Sequence, residues 1–180
     1  MSENISAKLK QTIRTIPDFP IEGIMFRDIS PILSDGVLLR EITEKFVQII
    51  QENNWEPELI LGPESRGFIF GSLLASRLGI GFIPVRKPGK LPHSTIEIEY
   101  SLEYGKNKLE MHDDAISVGQ KIIIIDDLLA TGGTVEACVK LCNKLGGKVI
   151  SNLFVIELEG LGAIEKLAPI PCISLIKYPA

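Results

Sequence analysis

The chain has 180 residues, a formal net charge of −4 and 45% hydrophobic residues, which is ordinary for one globular domain. The acidic balance argues against a nucleic-acid partner, because non-specific binding to nucleic acid requires a basic face. No stretch approaches the roughly 18 apolar residues of a membrane-spanning helix, and the first residues lack the apolar core of a signal peptide. Three cysteines suit a reducing compartment, so we expect a cytoplasmic protein with no membrane partner.

Helix-like and strand-like segments alternate along the chain. A short helix is expected over residues 3–14, whereas residues 17–33 are rich in proline and glycine and predict irregular structure. Asp35 is expected to cap a helix that runs to about Asn53. The later expected elements are a strand at 58–61, a helix at 68–78, strands at 81–85 and 121–126, a helix at 133–145, a strand at 148–156, a helix near 161–167 and a strand at 172–176. This alternation predicts an α/β fold with a mostly parallel central sheet flanked by helices, in a single domain over residues 1–180.

The segment 86–106 shows no convincing core pattern. Connections longer than about 12 to 15 residues are usually lids, binding loops or disordered segments. The alternation of Ile96, Ile98 and Tyr100 predicts that part of it is a hairpin arm that pairs with residues 108–112. We therefore expect a long flexible loop, part of which is one arm of a hairpin.

The junction between the strand at 121–126 and the next helix has the pattern of a phosphate site. Four consecutive isoleucines at 122–125 cannot alternate between buried and exposed faces, so they predict a central strand covered on both sides. The following glycines allow close approach to the backbone, and the helix that begins there leaves its first amides unpaired. Two threonines add hydroxyl donors. The residues that would bind a phosphate monoester are Thr131, Gly132, Gly133 and Thr134.

Two carboxylates, Asp126 and Asp127, stand between the strand and the phosphate site. They are poor ligands for phosphate, but they suit vicinal hydroxyls or a magnesium ion near the phosphate, as in a ribose 5-phosphate. The alternative interpretation is an ordinary tight turn whose Asp caps a helix. Because successive strand residues point to opposite sides, both carboxylates reach one ribose only if the strand bends; otherwise one of them is structural.

Basic residues follow two other strands of the expected sheet. Ligands of such sheets bind beyond the carboxyl ends of the strands, so Arg66, Arg86, Lys87 and Lys90 should lie at the edge that holds the phosphate site. This is more positive charge than one phosphate monoester requires, and it fits a pyrophosphate. The alternative is a solvated basic rim.

These residues resemble the type I phosphoribosyltransferase family. Residues 122–134, IIIIDDLLATGGT, match the family signature of a hydrophobic strand, two acids and TGGT in full. Further segments are similar to the members of the family that act on adenine: GIMFRDISPIL at 23–33, ESRGFIFG at 64–71, RKPGKLP at 86–92 and SLEYG at 101–105. The resemblance implies the type I phosphoribosyltransferase fold, with a small N-terminal base-binding hood at 1–34 and a flexible catalytic loop at 86–106.

The resemblance also implies a reaction and a role for each matching residue. The reaction converts adenine and phosphoribosyl pyrophosphate into AMP and pyrophosphate in a homodimer, with Mg²⁺ held mainly by substrate and water. The residues implied for the ribose 5-phosphate are Asp126, Asp127, Ala130, Thr131, Gly132, Gly133 and Thr134. Those implied for pyrophosphate are Glu64, Ser65, Arg66, Arg86, Lys87 and Lys90, with a cis Glu64–Ser65 peptide. Those implied for adenine are Met25, Phe26 and Arg27, with Glu103 as the catalytic acid/base.

Two other functions remain open at this point. One is a phosphoribosyltransferase for another purine. The other is a regulator that senses phosphoribosyl pyrophosphate without catalysis. Such regulators usually carry an added nucleic-acid-binding element, whereas this chain is acidic and has no basic recognition helix. The presence of Glu103 and of the whole 86–106 segment also favours an enzyme.

Overall fold

The computed structural model describes residues 5–101 and 106–180. Its elements in chain order are α1 (Ile5–Thr12), β1 (Arg14–Ile16), β2 (Phe26–Asp28), α2 (Ser30–Leu33), α3 (Gly36–Glu52), β3 (Leu59–Pro63), α4 (Arg66–Leu78), β4 (Gly81–Val85), β5 (Thr95–Ser101), β6 (Lys106–His112), β7 (Lys121–Leu129), α5 (Gly133–Lys144), β8 (Lys148–Glu159), α6 (Ala163–Leu167) and β9 (Cys172–Pro179). None of the helices in these two ranges is long and apolar enough to cross a membrane.

The central sheet has five strands in the order β4-β3-β7-β8-β9, and every neighbouring pair is parallel. The expected α/β class is therefore confirmed. In the middle strand β7, the four isoleucines at 122–125 are 0% exposed. Ile123 and Ile125 pack in the cluster that contains α3 and α4, whereas Ile122 and Ile124 pack against α5 and β6. Burial on both faces explains why this strand does not alternate in polarity.

Local signals set the ends of the main helices. The Asp35 carboxylate accepts hydrogen bonds from the amides of Val37 and Leu38 at 2.9 and 3.0 Å, so the expected N-cap of α3 is confirmed. Helix α4 ends at Gly79, whose φ of 70° is readily adopted by glycine. These caps set the ends of α3 and α4, and both helices pack in the same core cluster on one face of the sheet.

The expectation of irregular structure across residues 17–33 is wrong in part. Strand β2 pairs antiparallel with β1, and an ion pair of 2.7 Å joins Arg14 to Asp28 across the two strands. Helix α2 follows and buries Ile32 completely. The paired residues lie 10 to 14 positions apart along the chain, so the proline-rich segment itself carries no sign of the pairing. The division into a hood at 1–34 and a loop at 86–106 stays a prediction.

The expected hairpin, in which an arm of the segment 86–106 pairs with residues 108–112, is confirmed. Strands β5 and β6 pair from Thr95 with His112 to Ser101 with Lys106. The hairpin also contributes to the core, since Leu109 and Met111 are buried in the cluster around α5. The sequence did not indicate this contribution. The predicted catalytic residue Glu103 lies outside the described residues, in the chain between the last paired residues of the two strands.

Candidate active site

A cavity of about 290 Å³ opens at the carboxyl ends of β3 and β7. Two segments line it: residues 64–66, between the end of β3 and the start of α4, and residues 126–135, from the last residues of β7 to the first turn of α5. The structure therefore brings together the predicted ribose 5-phosphate residues and part of the predicted pyrophosphate residues. This edge of a parallel sheet is where ligands are expected.

The 126–135 segment turns sharply into the twelve-residue helix α5 at Gly132. Gly132 has φ +77°, and a Cβ at this position would lie 3.3 Å from the Cβ of Ala163. Its carbonyl accepts a hydrogen bond of 2.9 Å from the amide of Glu136, which starts the helix. The first amides of α5 are consequently directed at the cavity without intrahelical partners, in the geometry that binds anions. Thr131 and Thr134 are half-buried beside them.

Both candidate carboxylates lie within β7 rather than after it, because the strand continues to Leu129. Asp127 is 2% exposed, and its Oδ2 lies 3.1 Å from Nη1 of Arg66 at the start of α4. This oxygen accepts no well-aligned hydrogen bond from the described residues. Asp126 accepts a hydrogen bond of 2.9 Å from the amide of Asp127, and its charge raises the pKa of Cys138 on α5 in addition to the effect of burial. Both side chains line the cavity, although successive strand residues ordinarily point to opposite faces.

The paired carboxylates repel each other and favour a bound proton or cation. Desolvation and the neighbouring Asp127 raise the pKa of Asp126 well above its usual range. Desolvation also raises the pKa of Asp127, against the lowering effect of Arg66. Carboxylate oxygens are ligands that Mg²⁺ accepts, so the pair fits a magnesium ion. The described residues contain no group of three carboxylate, imidazole or thiol ligands that would enclose a metal.

Replacing Asp126 with Asn is expected to stabilise the ligand-free fold. The pKa of Asp126 is higher in the folded state than in the unfolded chain, so its ionisation lowers the unfolding free energy as the pH rises. At pH 7 to 8 we therefore expect the variant to melt at a higher temperature than the wild-type protein. The gain should shrink toward a pH of about 4, where the unfolded carboxyl takes up its proton.

Thermal unfolding of wild-type protein and the variant across this pH range is the measurement. Asn keeps an oxygen that accepts the Asp127 amide, so the substitution changes mainly the charge. The exposed Asp114→Asn is the matched control and should leave the melting temperature unchanged. An Asp126→Asn protein that melts at or below the wild-type temperature at pH 8 would contradict the prediction.

The connection from β3 to α4 contains the one non-proline cis peptide of the described residues, between Glu64 and Ser65, as the resemblance implied. The neighbouring basic residues Arg86 and Lys90 form ion pairs with Glu64. The Glu64 carboxylate lies 3.1 Å from Nε of Arg86 and 2.7 Å from Nζ of Lys90. The backbone of Lys87 also donates a hydrogen bond to it, while the Lys87 residue itself is exposed. Three of the predicted pyrophosphate residues are thus held together by a fourth.

Of the predicted adenine residues, Phe26 and Arg27 lie on β2 and Met25 directly precedes it. The ring of Phe26 is 5.9 Å from the Arg66 guanidinium, and the edge of Phe19 contacts Phe26 with ring centroids 5.0 Å apart. Met25 is 51% exposed, so its side chain is open to a ligand. Arg27 lies 4.0 Å over the ring of Tyr178.

Sequence reasoning missed two residues that support the site. Tyr178, near the end of β9, packs under the predicted base-binding segment. Glu110, on β6, accepts a hydrogen bond of 3.1 Å from the amide of Gly89, within the basic loop formed by residues 86–90. Neither lies in a motif, and no local pattern connects them to their distant partners. The roles assigned to the predicted site residues stay predictions, although their positions are now known.

Comparison with known proteins agrees with this geometry. The model of the phosphoribosyl transferase domain family matches residues 29–168. The chain is 52% identical over 171 residues to an adenine phosphoribosyltransferase of Lachnoclostridium phytofermentans, which covers 95% of this chain and 97% of that protein.

Solved structures give the same answer. A crystal structure of adenine phosphoribosyltransferase from Thermoanaerobacter pseudethanolicus matches with a TM-score of 0.92 and 49% identity, over 96% of this chain and 99% of that chain. The enzyme from Saccharomyces cerevisiae, complexed with an imino-altritol bisphosphate and adenine, matches with a TM-score of 0.91 and 38% identity, over 96% of this chain and 98% of that chain. The chain therefore has the type I phosphoribosyltransferase fold and belongs to the phosphoribosyl transferase domain family, among the adenine phosphoribosyltransferases.

Proposed function

We propose that the chain transfers the 5-phosphoribosyl group of phosphoribosyl pyrophosphate to adenine, giving AMP and pyrophosphate in purine salvage. The observation that carries the proposal is the cavity in which the segment 64–66 faces the start of α5, with Phe26 beside Arg66. One cavity can then hold a phosphate, a ribose and a leaving pyrophosphate, with an aromatic ring at its edge for the base. The names of the relatives point to the same reaction.

The sugar phosphate is bound by the residues around the start of α5. The amides that follow Ala130 and the hydroxyls of Thr131 and Thr134 surround the 5-phosphate, which the positive end of the helix attracts. Asp127, whose buried Oδ2 accepts no hydrogen bond from the described residues, accepts hydrogen bonds from the ribose hydroxyls. Asp126 lines the same cavity and completes the hydroxyl contacts directly or through water.

Magnesium would be held mainly by the substrate and water, with Asp126 and Asp127 as the protein groups closest to it. When bound, Mg²⁺ neutralises part of the charge of the pyrophosphate. Its presence would also relieve the repulsion that raises the pKa values of the two carboxylates. The chain thus supplies a site that is completed by substrate rather than a closed metal cage.

The chemical step breaks the bond between C1 of the ribose and the pyrophosphate oxygen, and it forms a bond from C1 to a nitrogen of adenine. Positive charge develops on C1 while negative charge develops on the leaving group. Arg66 lines the cavity, and Arg86 and Lys90 lie next to it, so these cations stabilise the departing pyrophosphate. Water must be kept out, because its attack on C1 would waste the activated sugar.

The N-terminal hood positions the base, and Glu103 removes its proton. Phe26 stacks on the purine, and the backbone at Met25 and Arg27 reads its edge. Glu103 takes the proton that adenine loses when its imidazole nitrogen bonds to C1, a contribution of about 10²- to 10⁴-fold. In sequence, Glu103 lies between β5 and β6, and their hairpin is the element that would cover the cavity.

The test is to offer phosphoribosyl pyrophosphate and Mg²⁺ with adenine, hypoxanthine, guanine or orotate in turn, and to follow pyrophosphate release. We expect release with adenine and little with the other bases. Release with hypoxanthine or guanine alone would instead identify an enzyme for another purine. Binding of the activated sugar without release for any base would identify a non-catalytic sensor.

We also propose that the protein is a homodimer in the cytoplasm. Large apolar side chains exposed on α3 and α4, including Val37 and Leu73, are the kind of surface that an interface covers. The three cysteines are unpaired, in keeping with a reducing compartment. Light scattering coupled to gel filtration should give twice the monomer mass of 19.8 kDa, and a monomer at micromolar concentration would contradict the dimer.

A further inference from the structure

A buried carboxylate sits at the mouth of a cavity that is otherwise suited to anions. The side chain of Glu64 is 9% exposed, and the residue lines the cavity together with Arg66. Its two oxygens pair separately, Oε2 with Arg86 and Oε1 with Lys90. A negative charge here opposes pyrophosphate binding, so electrostatics alone would not favour Glu at this position.

Glu64 keeps its charge despite being buried. Desolvation raises its pKa, but hydrogen bonds from Lys90, from the Lys87 backbone and from Arg86 outweigh that effect, and the pKa is lowered overall. The carboxylate is therefore ionised at neutral pH. Without an anionic ligand, it offsets one of the two positive charges that Arg86 and Lys90 bring to the site.

The basic loop, residues 86–90, also has backbone contacts that do not involve Glu64. Arg86 forms a backbone pair with Glu110 on β6, with hydrogen bonds of 2.9 and 2.7 Å in the two directions. The Glu110 carboxylate also accepts from the amide of Gly89. Because these contacts come from β6, we expect the loop to keep its place when Glu64 loses its charge but keeps an acceptor oxygen, while its two cations are freed.

Both cations can change partners. The side chains of Arg86 and Lys90 are 34% and 46% exposed, so each reaches solvent at the edge of the cavity. An arriving pyrophosphate offers several charged oxygens at the same edge. It can replace the carboxylate on both side chains without movement of the core.

We infer that Glu64 is an internal counter-ion that competes with pyrophosphate for Arg86 and Lys90, and that it thereby speeds release of the pyrophosphate product. This inference rests on the proposed function and makes Glu64 a positioning residue rather than a ligand of pyrophosphate. Its carboxylate takes over the two cations as the product leaves. Product release limits turnover in many enzymes, so a carboxylate that competes with the product for its cations would raise the turnover rate.

The experiment compares the affinity and dissociation rate of inorganic pyrophosphate with Mg²⁺ between wild-type protein and Glu64→Gln, by calorimetry and stopped-flow displacement. We expect Glu64→Gln to bind about tenfold more tightly, equivalent to about 1.4 kcal/mol, mainly through slower dissociation. A purely structural role for Glu64 predicts the reverse, since a disordered basic loop would bind more weakly and release faster. Unchanged or weaker binding in the Gln variant overturns the inference.

Two further variants separate charge from packing. Glu64→Asp keeps the charge and should stay within about twofold of the wild-type affinity; tightening equal to that of Glu64→Gln would overturn the role of the charge. Glu41→Gln is the matched control, because Glu41 pairs with Lys8 at 2.9 Å on α3, outside the cavity. It should leave pyrophosphate binding unchanged.

A structure of the wild-type protein with pyrophosphate and Mg²⁺ tests the exchange without any substitution. We expect at least one of the Glu64 contacts, with Arg86 Nε or with Lys90 Nζ, to open beyond hydrogen-bonding distance as the pyrophosphate takes its place. Retention of both contacts with pyrophosphate bound would overturn the inference. Failure of adenine transfer by the wild-type protein would instead contradict the proposed function, so the two failures are distinct.

Discussion

Replacing Glu103 with Ala is expected to lower kcat by about 10²- to 10⁴-fold, while the KM values for adenine and phosphoribosyl pyrophosphate change much less. Under the proposed mechanism, this carboxylate accepts the proton that adenine loses as its nitrogen bonds to C1. Proton transfer belongs to the transition state, so its loss affects turnover more than substrate binding. Steady-state kinetics with each substrate varied in turn gives the separation.

The hairpin offers a matched control for this variant. Glu97, on β5, pairs with Lys108 at 2.7 Å on the exposed side of the same hairpin. Glu97→Ala removes a carboxylate of the same type but should leave kcat within about twofold, since exposed ion pairs contribute little. Normal turnover in Glu103→Ala would remove this residue from the chemistry and leave the proton step to solvent or to another group.

Replacing Asp127 with Asn is expected to weaken binding of phosphoribosyl pyrophosphate by about 10- to 100-fold. Hydrogen bonds to a charged group contribute about 1.5–3 kcal/mol, and each 1.4 kcal/mol is a factor of about ten. The Oδ2 of Asp127 is buried, lies 3.1 Å from Arg66 and accepts no hydrogen bond from the described residues. It is therefore available to ribose hydroxyls. Calorimetric titration with the activated sugar and Mg²⁺, in the absence of adenine, measures the effect.

The same titration with Asp126→Asn decides how the two carboxylates divide their work. Equal losses would mean that both contact the ribose, whereas a much smaller loss for Asp126 would assign the contact mainly to Asp127. If Asp127→Asn binds the sugar as tightly as the wild-type protein, its role is to hold Arg66, and the prediction fails.

Several features follow from short-range signals in the sequence, and the structure confirms them. The isoleucines at 122–125 predict a strand buried on both faces, because no alternation is possible, and β7 is that strand. Asp35 predicts a cap because its side chain can reach amides only two and three residues ahead. The Gly132–Gly133 pair predicts the turn into α5 because glycine readily adopts positive φ. Each signal acts within a few residues, which is why the sequence alone reveals it.

The sequence by itself determined the α/β class, the buried central strand and the phosphate-binding turn, and motif resemblance indicated the reaction. Only the tertiary structure decided the strand order, the pairing of β1 with β2 and the contact of Arg27 with Tyr178. It also placed the carboxylate of Glu64 between Arg86 and Lys90 and paired Asp127 with Arg66. The physical reason is range: periodicity, capping and turn preferences act between near neighbours in the chain, whereas ion pairs and ring contacts depend on which distant segments the packed core brings together.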